Sequence, residues 1–213
     1  MKCFVKSLSV FILLGALQLR AQELQPVNLP KPDTTGGKPL MKALKERRSV
    51  RSFSQERISE QTLANLLWAA FGINRPDGHR TAPSAMNWQE IDIYVVMEKG
   101  VYLYNPAGQT LQPVLKGDIR EKTGVQAFVK DAPLNLIYVA DLSKTNRASP
   151  GDRDLYTGAD CGFIAQNVYL FCASEGLATV VRGSVDRTLL SQNLNLNPHQ
   201  KIILAQTVGY PQK

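Results

Sequence analysis

Residues 59–73 read SEQTLANLLWAAFGI, and Leu63, Leu66, Leu67, Ala70 and Phe71 recur at the spacing of one helix face. Ser59 stands at the N-cap position, and Gly72 closes the pattern. Ahead of it, Leu40, Met41 and Leu44 form a shorter apolar stripe that predicts a brief helix. IDIYVVM (91–97) alternates as a strand, and GVYLYNPAGQTLQPV (100–114) predicts a hairpin turning at Asn105–Gly108. A helical stretch at 118–130 leads to a strand at 134–140, and SKTNRASPGDRD (143–154) reads as a polar loop.

The strongest helix signal is GADCGFIAQNVYLFCASEG, 158–176. Cys161, Ile164, Ala165, Val168 and Cys172 hold one face, and Phe163, Leu170 and Phe171 make other faces apolar. Such a helix is expected to be central and buried, with Gly176 as its C-cap. A strand at 177–185, a short helix capped by Asp186 and a last strand at 201–211 follow. Hairpins occur as well as crossovers, so the class is α+β, with a mostly antiparallel or mixed sheet flanked by helices. Two segments lack periodicity. Residues 22–39, with four prolines and two glycines, read as an extended N-terminal arm, and 74–90 as a long, turn-rich loop. Residues 40–213 form the domain.

The first 21 residues fall outside that domain. Lys2 and Lys6, an apolar run from Leu8 to Leu17 and a small residue at Ala21 make the three-part pattern of a signal peptide. The alternative is a retained anchor. The expectation is export, to a periplasm, with no stable membrane insertion after cleavage. Removing 1–21 takes away Lys2, Lys6 and Arg20 and no acid, so the formal charge falls from +7 to +4. That mild excess implies no nucleic-acid partner. Cys161 and Cys172 then lie eleven residues apart on one helix, about 16 Å along its axis, too far to form a disulfide with each other.

No metal-ligand spacing is present; His79 and His199 lack partner motifs, and no nucleophile elbow or Walker sequence occurs. Side chains so poorly equipped for chemistry suit a site whose reactivity comes from a bound cofactor. LKERRSVRSF (44–53) is the charged exception. Arg47, Arg48 and Arg51, with Ser49 among them, are either a solvated basic face or a phosphate cradle. The cradle requires the helix to break there so that the arginines converge, and their charge has to overcome the C-terminal dipole, which repels an anion.

The order of four motifs resembles the flavin-dependent nitroreductase family: RRSVRSF, APSAMNWQ about thirty residues on, the helix at 158–176, and VVRGSVD. The resemblance covers residues 40–210. The middle section, GVYLYNPAGQTLQPVLKGDIR with QAFVKDAP, is similar to the branch containing SagB-type dehydrogenases, which oxidise azoline rings. The resemblance implies FMN and an intertwined homodimer with the cofactor at the interface. Arg47, Arg48, Ser49 and Arg51 would hold the phosphate, ribityl chain and pyrimidine edge. Pro83, Ser84 and Asn87 would reach the flavin from the other subunit, and Gln126 would contact its pyrimidine. Val180, Val181, Arg182 and Gly183 would lie along the central ring, where a backbone N–H tunes the hydride-accepting nitrogen. Many members carry Glu where this chain has Arg182, and many have a basic C-terminal extension where this chain has only Lys213. Tyr156 is either a proton donor in the pocket or a structural hydrogen-bonding residue.

The function implied is an exported FMN-dependent oxidoreductase that passes electrons from a donor, NAD(P)H or another reductant, to a small molecule by a ping-pong scheme. A non-catalytic flavin-binding or ligand-binding dimer of the same fold is the alternative.

Overall fold

The computed structural model describes residues 23–145 and 148–212; the expected signal peptide, 1–21, and Lys213 lie outside the described residues. Seven strands form one sheet: β1 (Val27–Asn28), β2 (Ile91–Met97), β3 (Gly100–Asn105), β4 (Thr110–Lys116), β5 (Leu134–Asp141), β6 (Ala178–Arg182) and β7 (Gln200–Gly209). Their order is β1-β4-β3-β2-β5-β7-β6, and each neighbouring pair is antiparallel. Four helices flank the sheet: α1 (Leu40–Glu46), α2 (Glu60–Phe71), α3 (Pro150–Glu175) and α4 (Arg187–Asn193).

Helices cover both faces of the sheet. On one face α2 and α3 pack over Ile91, Ile93, Val95, Leu134 and Leu136; on the other, Leu190 and Leu194 join Tyr94, Val96, Ile137 and Val139. Double coverage explains why β2 is buried at nearly every position and not only at alternate ones. Leu66 and Leu67 are fully buried, each contributing roughly 2 kcal/mol. The caps fall where expected. Ser59 Oγ accepts the Thr62 N–H, Asp186 accepts the Leu189 N–H, and Gly176 takes the left-handed conformation.

The N-terminal arm is docked along its length. Val27 pairs with Leu111, Leu29 is buried, the Asp33 amide donates to Asn65, and the Lys38 amide donates to Ser174 Oγ.

Four expectations change. α3 begins at Pro150, eight residues early, because Ser149 caps it by accepting the Asp152 amide and Pro150 suits the first helical turn; the expected loop at 143–154 is therefore half helix. Nor is α3 apolar and buried all round, since Leu155, Tyr156 and Phe163 are exposed and one stripe alone meets the core. The stretch 118–130 is two short 3-10 turns, Arg120–Thr123 and Ala127–Val129, separated at Gly124. The chain is extended at Gly124, where a Cβ would collide with the Arg182 guanidinium. Finally, the stripe on α1 faces outward: Leu40, Met41 and Leu44 are exposed and only Ala43 is buried.

Candidate functional site

α1 ends at Arg47, whose ψ of 123° takes the chain out of the helix. The next residues run beside the free edge of β6, where the Val50 N–H donates to the Thr179 carbonyl at 2.9 Å. This break permits the arginines to converge. Arg47 lies over the ring of Tyr169, 5.2 Å from its centroid. Ser49 Oγ meets the Tyr169 hydroxyl at 2.8 Å, and the Val181 N–H donates to the same hydroxyl at 2.9 Å. Tyr169 on α3 thus ties the arginine segment to the β6 edge. Arg48 and Arg51 are exposed and have no acidic partner among the described residues.

The segment before β5 reaches the chain just past the C-terminal end of β6. The Val125 N–H donates to the Ser184 carbonyl at 3.3 Å, and neighbouring Gln126 buries its Oε1 without a hydrogen-bond donor among the described residues. An orphaned buried acceptor suits a ligand that carries an N–H.

Other expected residues lie elsewhere. Val180 is buried with Phe53, Ala132 and Ala178. Arg182 points inward: Nε donates to Thr207 Oγ1 at 3.0 Å, Nη1 to the Thr123 carbonyl at 2.7 Å and Nη2 to Asn135 Oδ1 at 3.0 Å. Burial pushes the guanidinium down to about 10, so it stays charged at neutral pH. Its charge is spent on this network, and only its backbone and the exposed Gly183 belong to the edge. Lys213 lies outside the described residues.

Pro83, Ser84 and Asn87 lie on a loop that packs against the other half of α3. The Ala85 N–H donates to Asp160 Oδ2 at 2.8 Å, and Trp88 meets Tyr156 edge-on at 6.1 Å. Asp160 and Tyr169 are nine residues apart, about 14 Å along α3. Within one protomer the loop therefore does not close over the arginine segment. A cavity of about 490 Å³, bordered by Arg57, Leu63, Met97 and Tyr102, lies on the α2 face of the sheet and includes none of these motifs. Among the described residues no group of three His, Cys, Asp or Glu side chains could hold a metal, and no helix is long and apolar enough to cross a membrane.

The sequence profile of the Nitroreductase family matches residues 44–210. The chain belongs to the nitroreductase family. A protein of Methanocaldococcus jannaschii named as a nitroreductase is 31% identical over 170 residues, 75% of this chain and 85% of that one. The crystal structure of a protein from Ralstonia eutropha, also described as a nitroreductase, superposes with a TM-score of 0.85 at 41% identity, covering 88% of this chain and 90% of that one. The FMN reductase of Bacillus subtilis, named for NAD(P)H, is 25% identical over 147 residues, 69% of this chain but 44% of its own length.

Tyr169 and Asp160 are not among the site residues that the sequence motifs mark. Tyr169 carries only the weak signal of a polar-tipped aromatic within an apolar helix. Asp160 is an acid one residue before the apolar Cys161 stripe.

Proposed function

We propose that this nitroreductase-family chain is an FMN-dependent oxidoreductase that works as a homodimer on a small-molecule substrate. One observation carries the reading: Arg47, Ser49 and the Val181 amide gather on Tyr169, and Arg48 and Arg51 of the same segment are exposed with no acidic partner among the described residues. Arg47, Arg48 and Arg51 would hold a phosphate dianion, their charge outweighing the dipole of the seven-residue helix before them. Gln126 Oε1 would accept from an N–H on the pyrimidine edge. The backbone at Val181–Gly183 would face the central ring, and loop 83–87 of a second copy would cover it. Lys213 would add a cation at the phosphate. Bound FMN would supply the redox chemistry, taking a hydride from one substrate and passing electrons to the next in ping-pong order. The chain's own part is to anchor, orient and exclude water.

The signal-like residues 1–21 support export to a periplasm. NAD(P)H is not expected there, so an exported protein would draw on another donor. The resemblance of residues 100–133 to SagB-type dehydrogenases favours an oxidisable substrate in that role.

The test is the visible spectrum of the purified mature chain with and without FMN, followed by dithionite, NADH and NADPH. The expected outcome is a yellow protein that quenches FMN fluorescence and turns over with a donor–acceptor pair. A colourless protein that leaves the fluorescence unquenched refutes the proposal. A yellow protein that no pair turns over assigns the chain to flavin binding without catalysis.

A further inference from the structure

Beneath the loop at 83–89 lie two buried acids. Glu90, which joins the loop to β2, is fully buried, and neither of its carboxyl oxygens has a hydrogen-bond donor among the described residues. Asp160 on α3 is 2% exposed and uses Oδ2 to accept the Ala85 amide at 2.8 Å. The two carboxyl groups are within hydrogen-bonding reach of each other. Two buried carboxylates that close repel strongly, and an orphaned buried acceptor is itself costly. A single proton between them relieves the repulsion and engages one of the two oxygens that Glu90 otherwise leaves unpartnered.

The remaining charges around the pair do not replace that proton. Lys144 donates to Asp92 Oδ1 at 3.3 Å and to the Gln89 carbonyl at 3.4 Å, and acts on Glu90 only through space. Arg80 is engaged by Gln89 Oε1 at 2.8 Å. Asp92 and Asp141 add negative charge nearby, and Asp92 is itself pushed up, chiefly by burial. The Cys161 thiol is pushed up by burial and then by Glu90 and Asp160, so it is neutral.

We propose that Glu90 and Asp160 share one proton and act as a positioning pair for loop 83–89, which is released when that proton is lost. Asp160 then holds the loop through Ala85 while Glu90 holds Asp160. The loop has reason to move when freed, since Met86, Asn87 and Gln89 all have left-handed φ values of 50°, 54° and 49°. Burial, followed by the neighbouring Asp160, pushes Glu90 up to about 7, which puts the release near neutral pH. The latch stands on these contacts alone. Its consequence for catalysis rests on the proposed function, which gives Pro83, Ser84 and Asn87 to the cofactor.

The experiment uses the flavin-free chain, carrying Trp68→Phe so that Trp88 is the sole tryptophan. Emission of Trp88, which leans on Tyr156, is followed from about pH 5.5 to about pH 8.5, spanning the proposed release. The expected result is a transition centred near pH 7, with proteolytic cleavage in the loop on the order of tenfold faster at the alkaline end. Glu90→Gln, whose amide donates to Asp160 at every pH, should flatten both curves. A transition that survives in Glu90→Gln, or no transition in the parent, overturns the latch. Should Glu90→Gln fail to fold, the infrared band of a protonated carboxyl in the parent decides: it must disappear through the same transition. None of these readouts needs FMN, so failure of the latch and failure of the flavin reading are separate results.

Discussion

The Val181 amide, on the free edge of β6, donates to the phenol of Tyr169 at 2.9 Å instead of to another strand. The same phenol meets Ser49, so one side chain from α3 sets the distance between the arginine segment and the strand edge. Tyr169→Phe keeps the ring under Arg47 and removes both hydrogen bonds. The expected loss is about 1–2 kcal/mol of stability in urea titration, together with several-fold weaker FMN binding by fluorescence quenching.

Arg47→Gln and Arg51→Gln should each weaken FMN binding by about tenfold or more, the scale of one charge-assisted phosphate contact. The difference from the parent should shrink as salt is added. Unchanged affinity in both variants would remove the phosphate assignment.

Arg182→Met should act on the fold. The Thr123 carbonyl and Asn135 Oδ1 lose their guanidinium donors in the interior, at a cost of about 3 kcal/mol. Gly124→Ala should be damaging for the same reason, because its Cβ would displace that guanidinium. Urea denaturation of the flavin-free protein measures both. A stability equal to the parent in Arg182→Met would show that the network is dispensable.

Stability should fall as pH rises from about 4.5 to about 7. Folded Glu90, pushed up to about 7, keeps a proton that the unfolded chain releases from near 4.5. The folded state therefore binds more protons in that window, and its advantage is lost as the pH climbs. One such proton limits the slope to about 1.4 kcal/mol per pH unit. Melting temperature against pH checks this, and Glu90→Gln should abolish Glu90's share of the slope.

Cys161 and Cys172 are free and fully buried, and burial pushes both thiols up. A thiol-reactive dye should label neither in the folded protein and both in urea. Rapid native labelling would place α3 outside the core.

Much of this architecture is legible in consecutive residues. Ser59, Gly176 and Asp186 cap helices through their immediate neighbours, and Pro106–Gln109 turn the hairpin between β3 and β4. The Cys161–Cys172 stripe follows the helical period. These features depend on contacts a few positions apart, so a local pattern suffices. Ser149–Pro150 was an equally local signal, but Pro-Gly within a polar run also suits a turn, and nothing nearby decides between them.

The arrangement of the site depends on contacts across long stretches of chain. Ser49 and Tyr169 are 120 positions apart, and Ala85 and Asp160 are 75 apart. Whether Arg182 faces the edge or the interior turns on Thr123, Asn135 and Thr207 meeting around it. The proton expected between Glu90 and Asp160 likewise exists only because packing removes water from two acids that the chain keeps seventy residues apart. RRSVR shows its charge in the sequence alone. Its direction comes from the break at Arg47 and the phenol of Tyr169, because burial and hydrogen-bond partners are properties of the packed chain.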